Sequence, residues 1–229
     1  MRFTDSGCLL LWLALSTPTF LHAQVNPQQC GPLTNAYGPF DYRTNKAELD
    51  VVERFHFTKE VELLIRGKSG AIGGDLDYTL RAFPNHHRAL LSLMNYGERL
   101  KTLRAPNTNY EIECYFIRAV IFRADDTTAR MLYAAFLRQR GRLADGLRQL
   151  DIASTFASDN PFTHYNLGLS YLEMNSFEKA RQHARTALEL GLPKTQLRER
   201  LIAAGQWADA PAKADGAAAP EAPSGAASR

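Results

Sequence analysis

The chain has 229 residues, 45% of them hydrophobic and 22% charged, and its formal net charge is +3 at pH 7. This length is enough for one domain with a sizeable hydrophobic core and terminal extensions. So small a net charge gives no basis for binding to nucleic acid or to an anionic membrane surface, and we exclude both from the predicted functions.

Residues 1–23 are typical of a secretory signal peptide. Arg2 supplies the positive start, residues 8–15 are apolar, and Pro18 breaks the helix before a small residue at Ala23. The apolar stretch is too short to span a bilayer, and no later stretch approaches the ~20 apolar residues that a membrane helix needs. We therefore predict an exported, periplasmic protein without stable membrane insertion after signal cleavage. An uncleaved membrane anchor is the alternative.

Two cysteines remain after that cleavage, Cys30 and Cys114, because Cys8 leaves with the signal peptide. An even pair in an oxidising compartment favours a disulfide, which would join the N-terminal segment to a helix. Two separate buried thiols are the alternative, because one sequence does not show how far apart the two residues lie.

Residues 24–58 are predicted to form an irregular N-terminal segment. Prolines and glycines in residues 24–43 argue against a helix, whereas Tyr37, Phe40 and Tyr42 argue against plain disorder. We expect this segment to cover the exposed edge of the first helices; lying in a groove as a ligand mimic is the alternative. Helical spacing is present at 46–54, and Thr58 is a candidate N-cap for a helix running to Gly67.

Apolar residues at helical spacing predict three further helices before residue 124. The first covers 74–84 and ends at Pro84, because the residue before a proline avoids helical angles. The second covers about 85–101, and the third, 110–123, is apolar enough to be buried. The glycine-rich loop 69–74 does not have the pattern of a phosphate-binding loop, since no Gly-Lys-Ser/Thr follows it in register.

Residues 160–193 carry the most specific pattern in the chain. Apolar and small residues recur at fixed positions on two helical stretches: Leu167, Gly168, Tyr171, Phe177, Ala180 and Ala187. This pattern resembles the tetratricopeptide repeat (TPR), a helix–turn–helix unit of about 34 residues that stacks on copies of itself. His164 departs from the family, which usually has Trp there, and Ala184 stands where a bulky residue is usual.

Residues 127–160 repeat this pattern in the same register. Ala134, Leu143 and Ala153 lie 34 residues before Gly168, Phe177 and Ala187, respectively. That offset equals the family period, and Gly141 marks the turn between the two helices. Before this unit we predict a divergent repeat of about 40 residues, whose extra length lies in the loop at 104–109.

The resemblance implies an all-α fold. The expected architecture is a short TPR solenoid of about two and a half to three repeats over residues 59–207, which ends in a capping helix after Pro193. Residues 208–229 are rich in Ala and Pro and contain no aromatic residue, so we predict a disordered tail there.

The resemblance also implies a binding surface, because the first helix of each TPR lines a concave groove. The matching positions in this chain are Arg88, Asn95, Arg99, Arg138, Gln139, Phe162 and Tyr165. They change from polar and basic to aromatic along the chain, which suits a peptide with an acidic end and an apolar end. We therefore predict an adaptor or scaffold that binds a partner protein during assembly of an envelope structure; packing of the aromatic end against the capping helix is the alternative.

A different class of function would use His86 and His87, as a ligand- or metal-binding accessory protein or an enzyme. Adjacent residues of a helix point about 100° apart, so both rings cannot hold one ion without a distorted helix start, and we expect one of them to cap the helix instead. Asp75 and Asp77 also diverge on a helix, and Cys114 lies in an apolar stretch. We predict no enzymatic activity, no cofactor and no metal site.

Overall fold

The computed structural model describes residues 25–208. Within them the chain contains ten α-helices and no strand, which confirms the predicted all-α class. The helices are α1 (Lys46–His56), α2 (Lys59–Glu62), α3 (Ile72–Ala82), α4 (His87–Leu100), α5 (Ile112–Phe122), α6 (Thr127–Gln139), α7 (Leu143–Ser154), α8 (Pro161–Glu173), α9 (Phe177–Glu189) and α10 (Gln196–Ala203). The predicted signal peptide and, apart from Ala208, the predicted tail lie outside the described residues.

The helices pack in two rows. In the first row, α4 contacts α6, α6 contacts α8, and α8 contacts α10. In the second row, α5 packs against α4 and α6, α7 against α6 and α8, and α9 against α8 and α10. We call the solvent-exposed side of α4, α6 and α8 the front face. Side chains that are far apart in sequence therefore share this face.

The pairs α6/α7 and α8/α9 are equivalent hairpins. Thr127 and Pro161, which begin α6 and α8, are 34 residues apart, and the starts of α7 and α9 have the same offset. Each turn places one residue in the left-handed region, Gly141 at φ 72° and Asn175 at φ 57°. Side-chain caps fix both starts, because Asp126 accepts from the Ala129 N–H at 3.0 Å and Asn160 from the Phe162 N–H at 3.0 Å.

Gly168 sets the distance between α8 and its neighbours. A Cβ atom at this position would lie 2.4 Å from Leu197 Cδ2 of α10 and 3.3 Å from the Ala180 carbonyl oxygen of α9. Leu197 and Leu201 of α10 are buried in the hydrophobic cluster that also contains Leu167 of α8 and Ala180 of α9. The helix α10 therefore covers this cluster after α9, in the place where we predicted a capping helix. Ile202 of the same helix is 52% exposed.

The helix expected over residues 59–66 is only one turn long. Thr58 forms no side-chain cap hydrogen bond, and Leu64 adopts a left-handed conformation at φ 58°. The Ile65 N–H then donates to the Glu60 carbonyl at 2.8 Å, which closes the turn. The side chain of Leu64 is buried in the hydrophobic cluster that contains Leu90 and Leu93 of α4, whereas Leu63 and Ile65 are exposed.

The N-terminal segment lies on α3, on α5 and on the start of α4. The Phe40 N–H donates to the Ala82 carbonyl of α3 at 2.9 Å, and the Tyr42 ring lies 4.3 Å from the ring of His86. A disulfide joins Cys30 to Cys114 of α5, with their Cα atoms 5.0 Å apart. The segment therefore covers helix edges rather than occupying the front face as a ligand mimic, and α1 occupies its last part.

Candidate peptide-binding face

The predicted groove residues lie on consecutive helices of the first row. Arg88, Asn95 and Arg99 belong to α4, Arg138 and Gln139 to α6, and Phe162 and Tyr165 to α8. Asn95, Arg99, Gln139 and Phe162 are exposed, and Arg138 is half-buried. Tyr165 is buried at 6% exposure, which differs from its expected place on an open surface.

Arg88 is already bound to carboxylates of this chain. Its Nε donates to Glu62 Oε1 at 2.8 Å and its Nη2 to Glu62 Oε2 at 2.7 Å, while Nη1 lies 3.3 Å from Glu53. The hydrogen bond from Arg88 lowers the pKa of Glu62 to about 2. The guanidinium of Arg88 is therefore already paired within the protein, whereas we expected it to be available to an acidic partner.

Two further ion pairs join neighbouring helices of the first row. Arg138 Nη2 lies 3.3 Å from Glu173 of α8, and Arg140 Nη2 lies 3.1 Å from Glu98 of α4. Four arginines, Arg88, Arg99, Arg138 and Arg140, lie in this region together with four glutamates, Glu53, Glu62, Glu98 and Glu173, and Lys194 adds a positive charge near Phe162. The basic part of the predicted groove is therefore largely paired within the protein.

Arg99 and Arg138 are less fully paired within the protein than Arg88. Arg99 Nη1 donates to the Leu64 carbonyl at 2.9 Å, and its guanidinium lies 5.3 Å from the centre of the Tyr96 ring. Among residues 25–208 it forms no ion pair. Arg138 Nε is buried and has no hydrogen-bond partner within those residues, and Nη2 of the same side chain faces Glu173. Arg99 is therefore the more open of the two cations.

Phe162 forms an exposed aromatic surface at the α8 end of the front face. Its side chain is 56% exposed, and Lys194 Nζ lies 5.7 Å from its ring centre and 5.4 Å from that of Tyr165. The Tyr165 hydroxyl donates to Gln196 Oε1 at 3.2 Å. Tyr165 thus packs against the segment that leads into α10, as in the alternative interpretation, while Phe162 remains open.

The opposite end of the face carries exposed aliphatic side chains, of which Leu91 stands at a groove position of the repeat pattern, whereas Leu63 and Ile65 were missed by sequence analysis. Leu63 is 54% exposed, Ile65 66% and Leu91 42%. The turn after α2 is held along α4, because Ser92 Oγ donates to the Glu62 carbonyl at 2.9 Å. Apolar surface therefore lies at both ends of the front face. Leu64, between Leu63 and Ile65, has a positive φ, and no periodic pattern of the sequence signals this turn.

His86 and His87 are engaged within the protein. His86 is fully buried; its Nδ1 accepts from the Ala89 N–H at 3.1 Å, and its Nε2 lies 3.0 Å from Glu53. The ring is therefore the neutral Nε2–H tautomer, and burial lowers its pKa. His87 Nε2 lies 2.8 Å from both carboxylate oxygens of Asp126. His86 caps α4, as expected for one of the two.

These contacts leave the accessory-protein alternative without an assembled site at this position. No group of three or more His, Cys, Asp or Glu side chains within residues 25–208 is arranged to hold a metal ion. Asp75 and Asp77 are buried, with Asp75 accepting from the Lys68 N–H at 2.6 Å and Asp77 from the Asn109 N–H at 3.0 Å. Both carboxylates stabilise loops.

The sequence matches no protein-family model and no curated protein. Among the described helices, none has the length and apolar character needed to cross a lipid bilayer.

Proposed function

We propose that this protein is an exported adaptor of the TPR type that binds a segment of a partner protein on its front face. The observation that carries the proposal is the order of side chains across α4, α6 and α8. Exposed apolar residues, Leu91 and Phe162, lie at the two ends. Between them lie Arg99, which is exposed and forms no ion pair within residues 25–208, and Arg138, which is half-buried beside Glu173.

This arrangement suits a segment with apolar residues at both ends and one or two carboxylates in the middle. Apolar anchors in partly desolvated positions supply most of the binding energy at such surfaces, and an arginine binds a carboxylate through parallel hydrogen bonds. The acidic-then-apolar peptide expected from the sequence becomes an apolar–acidic–apolar segment. Because most charges on the face are already paired within the protein, we expect its affinity to depend only mildly on salt concentration.

The helical hairpins support the TPR part of the proposal. The 34-residue offset between α6/α7 and α8/α9 and the stacking of α4, α6, α8 and α10 are what such repeats require. The pattern of residues 1–23 supports export to a periplasm, where the partner would belong to an envelope structure under assembly.

Site-specific photocrosslinking in the cells that make the protein tests the proposal. Benzoylphenylalanine replaces Gln139 on the front face or, as a matched control, the exposed Gln182 on α9 of the second row. We expect one discrete adduct from position 139 and none from position 182. The same adduct from both positions, or from neither, contradicts binding at the front face.

Charge reversal separates binding from folding. Arg99→Glu with Arg138→Glu should abolish the adduct at position 139 without loss of helicity, because neither residue contributes to the hydrophobic core. Arg54→Glu with Arg148→Glu makes the same change in net charge on α1 and α7, at side chains that are 65% and 60% exposed, and should leave the adduct intact.

A further inference from the structure

Two histidines face each other between α8 and α9. The Nδ1 atoms of His164 and His183 are 2.8 Å apart, and their ring centres are 5.0 Å apart with the planes inclined by 36°. His164 is half-buried and His183 is buried at 6% exposure. The pair is separate from the front face.

The outer nitrogens of both rings have oxygen partners. His164 Nε2 lies 2.8 Å from the Ser158 carbonyl oxygen, which can only accept a hydrogen bond, so this nitrogen carries a proton. His183 Nε2 lies 3.1 Å from Ser154 Oγ, and a hydroxyl can accept as well as donate. The outer contacts therefore allow the Nε2–H tautomer on both rings, and in that form both Nδ1 atoms, 2.8 Å apart, are unprotonated.

Without a metal ion between the rings, the two Nδ1 atoms form a hydrogen bond, so one of them has to carry a proton. His183 then carries its proton on Nδ1 and donates to His164 Nδ1, while Ser154 donates to His183 Nε2. With a metal ion, both rings keep the Nε2–H form and both Nδ1 atoms become ligands. An oxygen acceptor on the outer N–H of a ligating histidine is the usual arrangement around protein-bound metals, because it fixes the tautomer and orients the ring.

The separation of the Nδ1 atoms fits one geometry better than another. With metal–nitrogen bonds of about 2.05 Å, two cis ligands at 90° are about 2.9 Å apart, whereas tetrahedral ligands are about 3.3 Å apart. The observed 2.8 Å matches the cis arrangement, which square-planar and octahedral Cu²⁺ and Ni²⁺ complexes use. We propose that His164 and His183 chelate one divalent ion of this class, with water completing its coordination from the half-exposed His164 side.

The residues around His164 and His183 hold the two rings in place, and the charged side chains among them are paired with each other. The Tyr171 ring stacks on His183 at 5.4 Å with an interplanar angle of 11°. Lys179, the nearest cation on α9, is paired with Asp151, which also accepts from the Tyr171 hydroxyl at 2.8 Å. A bound ion would join α8 to α9 in one hairpin and so stabilise it.

Calorimetric titration tests this site on the disulfide-bonded protein, purified without a histidine tag. NiCl₂ and CuSO₄ are the probes, and we expect one ion per chain with a higher melting temperature in its presence. His164→Gln should weaken binding about tenfold or more and Ser154→Ala by a smaller factor, because Ser154 only orients His183. His56→Gln, at a half-buried histidine on α1, is the matched control and should bind normally.

Electron paramagnetic resonance of the Cu²⁺ form supplies a second readout, with coupling to two imidazole nitrogens expected. Three results would overturn the proposal. They are no saturable binding by the wild type, equal binding by the folded His164→Gln variant, and a Cu²⁺ spectrum without imidazole coupling. Circular dichroism shows whether each variant is folded before its titration is interpreted.

Discussion

Arg88 and Glu62 form a two-point ion pair between α4 and the turn of helix at α2, with donor–acceptor distances of 2.8 and 2.7 Å. A partner carboxylate would need this same geometry to bind Arg88. The end of the front face nearest the N-terminus is therefore already satisfied by the protein's own acidic residue, and Arg99 is left as the more open arginine of α4.

Arg88→Glu should destabilise the fold, because it places a third carboxylate beside Glu62 and Glu53. We expect a loss of about 1 kcal/mol, as for a partly exposed ion pair, measured by urea unfolding. Adding Glu62→Arg restores the pair in reverse and should recover part of this loss. Equal stability of the single and double variants would show that the pair does not couple energetically.

Gly168→Ala should destabilise the protein, because the new Cβ would lie 2.4 Å from Leu197 Cδ2. Overpacking of this kind costs about 1–3 kcal/mol. Leu197→Ala removes the clashing atom, so the double variant should lose less than the sum of the single losses. Gly70→Ala is the control, since no atom lies within 4 Å of its added Cβ. Additive losses in thermal unfolding would contradict contact between these two residues.

Reduction of the disulfide should loosen the N-terminal segment. Cys30 and Cys114 are 84 residues apart in sequence, and a disulfide typically stabilises a fold by about 2–4 kcal/mol. The native protein should show no free thiol before reduction, and proteolysis after it should begin within residues 25–45. Arg118 donates to the Pro32 carbonyl at 2.6 Å, so the residues next to Cys30 keep this hydrogen bond to α5 after reduction. Two titratable thiols in the oxidised protein would contradict the bond.

Stability should fall as the pH drops below about 6.5, the ordinary pKa of histidine. Burial lowers the pKa of His86, and burial lowers that of His183 to about 4. The unfolded chain therefore binds protons in this range while the native protein does not, and stability decreases with each pH step towards the folded pKa. Below about pH 4.5, protonation of Glu62 adds a second loss, since its folded pKa is also lowered.

Urea unfolding between pH 8 and pH 4 measures this dependence. His86→Asn keeps a side-chain acceptor for the Ala89 N–H but cannot be protonated, so its stability should change less between pH 6.5 and pH 5 than that of the wild type. A wild-type stability that stays constant over this range would show that neither histidine is held in its neutral form.

The hairpins α6/α7 and α8/α9 could be predicted because their signals are local. Caps such as Asp126 and Asn160 mark the starts of α6 and α8, and the turn residue Gly141 is recognisable without any distant contact. The helix boundaries there agree with the 34-residue register of the sequence. The same local rules failed at α2, where burial of Leu64 overrides helix propensity.

The front face was only partly predictable, because its contacts come from residues distant in sequence. Nothing in the local pattern places Glu62 beside Arg88, or Lys194 over the ring of Phe162. His164 and His183 are a different case. They lie nearly symmetrically about the turn of one predicted hairpin, so their proximity could have been inferred once the turn at residues 174–176 was placed.

The position of the disulfide also imposes an order on assembly. Cys30 is synthesised 84 residues before its partner, and that partner lies on α5, after the helices on which residues 37–42 rest. The bond between Cys30 and Cys114 therefore cannot form until the chain has been synthesised as far as α5. It secures the N-terminal segment only after α3 and α4, on which residues 37–42 lie, have been made.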